Sequence, residues 1–379
     1  MKLNIIGPND PALDVLQAAL AQSDLNAELT IIPWPRYRDE LMATLRADAA
    51  PNQAVFIPGH IWLPELADAG LLAEIDPLLT TVSPAILAAY NLDDVIPTVA
   101  EECRYQGKQY QLPFFSDGHI LFYRSDLIEL DDSRGVPVVS TRDVAELAAS
   151  VHNPPRVYGL ALKANVSEVF TDWLPYLWEA GGTIFDEDGR PHLDNPINIA
   201  ALESYCRLRP LCPPQTHTYG NGEISDSFRK GEAALIATWG GQTAPILLDE
   251  GNEWRGVYKT AVFPIPWNAT WGIAIPRNQS EASQRNALAA LLQLLGPEQD
   301  RQITRIAGSP VRQSSYAPAE LAQFPWLAAQ REMLNRTRPL PACPELGKFL
   351  GAIYTNVHKA FTGQTSPTEA LSEAQHSVL

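Results

Sequence analysis

Apolar residues in the first hundred positions alternate between short continuous runs and longer segments in which they recur every three or four residues. A short run bounded by Gly or Pro is typical of a buried strand, and the longer spacing is typical of an amphipathic helix. A predicted helix follows each predicted strand: 12–22 after 2–6, 36–47 after 29–32, and 61–69 after 54–57. This βαβαβα order with short connections predicts a parallel sheet flanked by helices.

Residues 112–128, LPFFSDGHILFYRSDLI, interrupt the alternation with an apolar, aromatic run that contains one short polar step, Ser116-Asp117-Gly118. Pro113 cannot donate to a sheet ladder, and the glycine tolerates a large change of backbone direction. The run is typical of a chain that crosses from one globular half to another, which would leave the Asp117 carboxylate between the halves. A β-turn at Asp117-Gly118 explains the string equally well.

A second series of strands and helices follows residue 118. Its predicted strands are 119–124, 157–162, 233–238, 260–263 and 270–275, and its predicted helices are 141–151, 169–180, 195–207, 223–231, 281–295, 297–306, 319–334, 345–361 and 368–376. Residues 264–269 and 309–312 are interpreted as further crossings. Because 379 residues exceed one ordinary core, we predict two lobes, 1–113 with 267–308 and 114–266 with 309–379.

Composition limits the classes of partner. The chain is 45% hydrophobic and 19% charged, which indicates a packed globular protein. A formal net charge of -16 disfavours nucleic acid and anionic membranes as partners, so a neutral or cationic ligand fits better. No apolar stretch reaches the roughly 18 residues of a transmembrane helix. No signal peptide opens the sequence, so the protein is either cytosolic or exported with its leader removed and Met1 added.

An acidic turn and the four cysteines each suggest a metal site, but each lacks the other residues that such a site needs. The acidic turn at 186–189 lacks the further ligands of a calcium loop and is interpreted as a hairpin turn. The four cysteines lack zinc spacing, although Cys206 and Cys212 are close enough for a small disulfide in an oxidising compartment. We predict no metal and no cofactor.

The candidate ligand-binding residues lie at predicted loop ends, because ligands of open α/β sheets bind beyond the carboxyl ends of the strands. They are Asn9, Trp34, Gly59, His60, Trp62, Asp117, Glu168, Trp239, Gly240, Gly241, Trp267 and Trp271. His60 has no catalytic partner at motif spacing, so it is read as a polar loop residue or a ligand hydrogen-bonder. Trp62 could equally be a helix-start staple. Gly240-Gly241 offers backbone N–H groups beside an indole, but the GK[ST] of a phosphate loop is missing.

Five strings in order resemble the family 1 extracellular solute-binding proteins of ABC importers, the maltose and oligosaccharide type. They are WLPELADAGLLAEID, LPFFSDGHILFYRSDLI, EAGGTIFDEDG, FRKGEAALIATWGG and FTGQTSPTEALSEA, and the resemblance runs from about residue 3 to 376. It implies two α/β lobes of the class II periplasmic-binding-protein type, joined by two or three hinge crossings. These lobes close over a ligand and deliver it to a membrane permease.

The resemblance also implies residue roles. Asp117 matches the family carboxylate that accepts sugar hydroxyls, and Trp239 matches its stacking aromatic. Ile61 and Trp62 stand where maltose binders tend to carry polar residues, and Trp271 stands where relatives often have Gly. These departures argue against maltose itself and for a more aromatic pocket. We therefore expect a monomeric carbohydrate receptor, periplasmic or extracellular, with or without a lipid anchor.

Two other classes stay open. A glycoside hydrolase would need a second carboxylate at a fixed distance across the site, and only Asp117 stands out in the sequence. No GxSxG, HExxH, SxxK, GxGxxG or P-loop string is present. A binder of polyamines, amino acids or peptides on the same fold is the other alternative, although more acidic loop ends would be expected for a cation.

Overall fold

The computed structural model describes residues 2–48, 52–186 and 189–377. Up to the end of the first crossing, the strands are β1 (Leu3–Pro8), β2 (Ala27–Ile32), β3 (Gln53–Pro58), β4 (Arg104–Tyr105), β5 (Lys108–Gln109) and β6 (Gln111–Arg124). The helices of this part are α1 (Ala12–Gln22), α2 (Trp34–Arg46), α3 (Gly59–Asp68), α4 (Ile75–Leu79), α5 (Pro84–Tyr90) and α6 (Pro97–Glu102).

The remaining part of the described chain contains four strands and is richer in helices. The strands are β7 (Tyr158–Ala161), β8 (Ala233–Trp239), β9 (Tyr258–Ala261) and β10 (Asn268–Ala274). The helices are α7 (Thr141–Val151), α8 (Val169–Glu179), α9 (Pro196–Cys206), α10 (Asn221–Arg229), α11 (Thr243–Leu247), α12 (Glu281–Leu294), α13 (Pro297–Ile306), α14 (Pro318–Gln323), α15 (Leu327–Arg336), α16 (Leu346–Thr362) and α17 (Pro367–His376). The predicted α/β class is confirmed.

The chain divides into two compact units. Unit 1 comprises Met1–Asp117, Ala269–Phe324 and Ala342–Pro344, and unit 2 comprises Gly118–Asn268, Pro325–Pro341 and Glu345–Leu379. Strand β6 crosses the boundary without a break, so the β-turn considered for Asp117-Gly118 is not formed.

The predicted lobes differ from these units at 114–117, 267–268 and 342–344, and most at residues 309–324, which lie in unit 1. The buried carboxylate of Asp300 explains this placement, since it accepts hydrogen bonds from the backbone N–H groups of Val311 at 2.9 Å and Arg312 at 3.0 Å. The helix predicted over 319–334 is two helices, α14 and α15. Pro325 separates them because proline clashes with the preceding turn of a helix and lacks an N–H group.

Unit 1 contains the predicted parallel strands. Strand β1 pairs in parallel with β2 on one side and β3 on the other. Strand β10 extends this sheet as an antiparallel neighbour of β3, with Trp271 opposite Pro58. Fully buried Ile5, Phe56 and Ile273 belong to one core with the α1 residue Leu16. Because β1, β2 and β3 are parallel, their carboxyl ends share one edge of this packed sheet.

Unit 2 is built around the second half of β6. This half pairs antiparallel with both β8 and β9, and β8 pairs in parallel with β7. His119 at the start of this half lies opposite Trp239 at the end of β8. The carboxyl end of β8 therefore meets the first residues of unit 2.

The disulfide considered for two cysteines and the predicted hairpin turn have different outcomes. Cys206 and Cys212 are free thiols, so the disulfide considered for them is not formed. Phe185 and Pro191 form an antiparallel bridge, as the predicted hairpin turn requires, while Glu187 and Asp188 of that turn lie outside the described residues. Across the described part of the chain, no helix combines the length and apolar character needed to cross a bilayer.

Candidate ligand-binding site

Aromatic side chains gather at the carboxyl-end edge of the unit 1 sheet. We call this group the unit 1 aromatic cluster, and its members are Trp34, Tyr37, Trp62, Phe115 and Trp271. Trp34 comes two residues after β2 and opens α2, and Trp62 lies in the first turn of α3 after β3. The strand-to-helix turns thus bring together residues that are far apart in the sequence.

The rings of the cluster brace one another. Trp34 stacks on Trp62, with centroids 5.9 Å apart and planes at 7°. Trp271 meets the Trp34 ring edge-on at 5.7 Å and stacks on Phe115 at 5.8 Å and 6°. Trp62 and Trp271 are buried, whereas Trp34 keeps 47% of its surface exposed. The cluster therefore exposes one indole to solvent, and buried aromatic rings pack against that indole.

Two carboxylates belong to the same edge. Asp10 lies two residues after β1, and its Oδ1 accepts a hydrogen bond from the Ala12 N–H at 2.9 Å. Burial and the negative charge of Asp117 raise the pKa of Asp10 to about 7. Near neutral pH the Asp10 carboxyl is therefore partly protonated, and the oxygens of both carboxyl groups can accept hydrogen bonds from hydroxyl groups.

Gly59 and His60 hold the start of α3 in place. Gly59 has a φ of +23°, and a Cβ there would come 3.2 Å from the Thr270 carbonyl oxygen, so a larger residue would strain this turn. His60 is buried in the helix rather than placed in a loop, and its Nε2 donates to the Arg104 carbonyl oxygen at 3.1 Å. Asn9 is exposed in the bend after β1.

Unit 2 has its own aromatic site around Trp239 and Trp267, which we call the indole pair. The two rings meet edge-on at 5.4 Å, and both are buried. The Trp239 Nε1 donates to Glu168 Oε2 at 3.0 Å. The Lys163 Nζ lies 3.4 Å from the Trp239 ring centroid, which is a cation–π contact.

Lys163 also balances the charge of this site. Its side chain is completely buried, and its Nζ lies 3.0 Å from Asn221 Oδ1 and 3.6 Å from Glu168 Oε2. Burial raises the pKa of Glu168, although the Lys163 charge opposes this shift. Trp239 is consequently fixed by an ammonium over its ring and a carboxylate at its edge. The predicted stacking residue is thus part of an ionic network that its sequence context did not indicate.

The two glycines after Trp239 form a compact turn. Gly240 and Gly241 are buried in a 3₁₀ turn, Gly240–Gln242, and the Thr243 N–H donates to the Gly240 carbonyl oxygen. A Cβ at Gly240 would lie 2.2 Å from Gln330 Oε1 of α15. The glycine therefore permits close approach of that amide.

Several residues of these sites were missed by the sequence analysis, namely Tyr37, Phe115, Lys163 and Gln330. Lys163 comes two residues after β7, so the loop-end rule could have selected it. Gln330 lies in the middle of a helix with no local signal. In the described part of the chain, no group of three or more His, Cys, Asp or Glu could hold a metal ion.

An α/β chain with indoles and carboxylates at its strand ends is typical of proteins that bind small polar molecules. The family model for bacterial extracellular solute-binding proteins matches residues 9–299, and this chain belongs to that family. The resemblance to the solute-binding proteins of ABC importers is thereby confirmed.

Relatives and solved structures agree with this assignment. A mannitol-binding protein of Pseudomonas aeruginosa is 28% identical over 320 residues, covering 76% of this chain and 73% of the relative. A solute-binding protein of Agrobacterium radiobacter K84 in complex with ribitol superposes with a TM-score of 0.87 at 22% identity, covering 100% of this chain and 98% of that one. Maltose-bound MalE3 of T. maritima superposes with a TM-score of 0.83 at 21% identity, covering 100% of this chain and 98% of that one. At these identities the two structures show a shared fold.

Proposed function

We propose that this protein binds a neutral, hydroxyl-rich small molecule, a sugar or a sugar alcohol, and delivers it to the permease of an ABC importer. The observation that carries the proposal is Trp34, which is 47% exposed and braced by Trp62 at the sheet edge that also carries Asp10 and Asp117. A large ring kept partly in water beside hydrogen-bond acceptors is poor packing for a core. It suits a binding surface.

The chemistry of such a ligand matches these groups. The C–H face of a sugar or an extended polyol packs on an indole, and its hydroxyls donate to carboxylate oxygens. Charge-assisted hydrogen bonds of this kind are stronger than neutral ones and fix orientation. A relative named as a mannitol-binding protein and a solved structure in complex with ribitol extend the expected ligands from mono- and oligosaccharides to sugar alcohols.

The transport role and the location follow from the family. Receptors of this kind capture solute outside the cytoplasmic membrane and hand it to transmembrane subunits, so we expect a periplasmic or extracellular monomer without hydrolytic activity. The predicted hinge closure would couple capture to delivery, because a ligand favours the conformation to which it binds more tightly.

A thermal-shift panel of alditols, monosaccharides and maltooligosaccharides tests the proposal. A ligand at about a hundred times its Kd should stabilise the fold by about 2.7 kcal/mol, which is readily detected as a higher Tm. The same samples are then analysed for hydrolysis products. Stabilisation without products supports a carbohydrate receptor, whereas products, or no response to any carbohydrate, contradict it.

A cationic solute is the second candidate, and the Asp10 and Asp117 pair favours it. Two carboxylates beside exposed indole could hold an ammonium group by charge and by cation–π contact. Putrescine and choline therefore belong in the panel. A response to these amines and to no carbohydrate would favour this alternative.

A further inference from the structure

Two side chains of helix α15 pack against glycines of unit 2. A Cβ at Gly240 would lie 2.2 Å from Gln330 Oε1, and a Cβ at Gly118 would lie 2.3 Å from Met333 Sδ. Gly240 directly follows Trp239, and Gly118 precedes His119, whose ring meets the Trp239 ring at 4.5 Å. Gln330 and Met333 are one helical turn apart and therefore share a face. This face of α15 covers the backbone next to Trp239 and His119.

The amide of Gln330 is buried at an energetic cost. Gln330 is 1% exposed, and neither its Nε2 nor its Oε1 has a hydrogen-bond partner among the described residues. A second polar group beside the same turn, the Thr243 hydroxyl three residues after Gly240, is also buried and unpartnered within the described ranges. Buried polar groups without partners destabilise a fold, and a methionine would fill the same space without that penalty.

Two other polar groups that contact the Trp239 indole have partners among the described residues. The Trp239 Nε1 donates to Glu168, and the Lys163 ammonium contacts Asn221, Glu168 and the Trp239 ring. The Gln330 amide differs from them because it can both donate and accept. A hydroxyl group also donates and accepts, so neighbouring hydroxyls on one molecule can pair with both ends of an amide.

We propose that Gln330 is a specificity-determining ligand contact, whose Nε2 donates to one hydroxyl of the ligand and whose Oε1 accepts from another. The inference rests on the proposed function, since it assigns the amide to the same sugar or sugar alcohol. It explains why a fold would keep an unpaired amide under Gly240. Gly240 has no side chain because the Gln330 amide occupies that space.

The test compares wild type with Gln330→Met, which keeps the length of the side chain and removes the amide. The probe is the carbohydrate that raises the Tm of the wild type most in a panel of D-mannitol, ribitol, common monosaccharides and maltose. Calorimetric titration should show Kd raised at least about tenfold, as expected for the loss of one or two hydrogen bonds. The Tm of the ligand-free variant should equal or exceed that of the wild type.

Thr304→Val is the matched control. The Thr304 hydroxyl in α13 of unit 1 is also fully buried and unpartnered among the residues described, but it was not assigned to any site. We expect this variant to match the ligand-free stability of the wild type or exceed it, and to bind the probe with unchanged Kd. A selective loss of affinity in Gln330→Met would then reflect the position of the amide rather than removal of a buried polar group.

The outcomes separate the inference from the proposed function. If the wild type binds a probe and Gln330→Met binds it equally well, the assignment of Gln330 is wrong while the receptor function stands. A Tm of ligand-free Gln330→Met more than about 2 °C below wild type would show a structural partner for the amide and overturn the assignment without reference to ligand. If no carbohydrate binds the wild type, the proposed function and this contact fail together.

Discussion

The unit 1 aromatic cluster and the unit 2 indole pair use the same side chain at the same kind of position, but they hold it differently. In unit 1, Trp34 is held by Trp62 and Trp271, and nearly half of its surface is exposed. In unit 2, Trp239 is buried and fixed by Lys163 and Glu168. A tryptophan after a strand can therefore be either a contact surface or the centre of a charge network.

This difference determines whether a substitution acts first on stability or on ligand affinity. Rings that stack on one another lose mainly dispersion and aromatic contacts when one is removed. An indole that contacts a buried ammonium and a half-buried carboxylate leaves charges poorly solvated when it is lost. We expect changes in unit 2 to act first on stability, and changes at Trp34 to act first on ligand affinity.

The largest effect is expected for Trp239→Ala. Truncation of a buried Trp costs about 3–5 kcal/mol of unfolding free energy, and here Lys163 also loses its cation–π contact and Glu168 its indole donor. Urea denaturation measures the loss. The milder Trp239→Phe keeps an aromatic ring below Lys163 but loses the Nε1 donor and part of the ring area, so it should retain clearly more stability than Trp239→Ala. Equal losses in the two variants would mean that the ring face contributes nothing.

Lys163→Met should come next in size. Removing one partner of a buried ion pair costs about 3–5 kcal/mol, and we expect the lower end because the Glu168 side chain keeps 20% exposure. The pKa of Glu168 is already raised by burial and should rise further without the ammonium. The folded state then binds more protons than the unfolded state, so the variant should lose stability as pH rises from about 4.5 towards 8.

The double variant Lys163→Met with Glu168→Gln is the control for that effect. It removes both charges of the pair, so most of the pH dependence of the Lys163→Met variant should vanish. Urea denaturation at pH 5 and pH 8 for the two variants tests this. If the double variant kept the steep fall in stability at pH 8, another titrating group would be responsible.

Asp10→Asn tests the acidic side of unit 1. The pKa of Asp10 is raised from 3.8 to about 7, so the folded protein should lose stability as pH rises from about 4 to 7. The full shift would correspond to about 4 kcal/mol, and partial exposure should reduce it to about 1–2 kcal/mol. The variant should be more stable than wild type at pH 8 and nearly equal to it at pH 4, measured by urea denaturation. A constant difference at both pH values would exclude titration of Asp10 as the cause.

The sequence predicted the elements of unit 1 well because its strands are short apolar runs bounded by Pro or Gly, and each helix has a clear periodicity. It also selected Trp34, Trp62 and Trp271, since loop ends follow directly from the strand positions. It did not indicate how the rings stack, because contacts between residues over two hundred positions apart depend on tertiary packing. The antiparallel position of β10 beside β3 shows the same limit.

Unit 2 was less predictable for a physical reason. Trp239 was selected because two glycines follow it, but the partners that fix it come from the segment before α8. Lys163 reads as a solvated charge in sequence, and burial of a lysine is rare unless it is paired. The break between α14 and α15 was also missed, although Pro325 marks it. Gln330 lies beyond that break.

Trp34→Ala should have the smallest effect on stability. It tests most directly whether Trp34, unlike Trp239, acts mainly as a contact surface for ligand. With 47% of its surface exposed, Trp34 should contribute less than about 1 kcal/mol to unfolding free energy, whereas loss of a stacking face should weaken ligand binding about 3- to 10-fold. Titration calorimetry and urea denaturation measure the two quantities. Leu127→Ala, at an exposed apolar residue outside both aromatic groups, should change neither. A Trp34→Ala variant with normal affinity and reduced stability would place Trp34 in the packing of unit 1 and remove it from the binding surface.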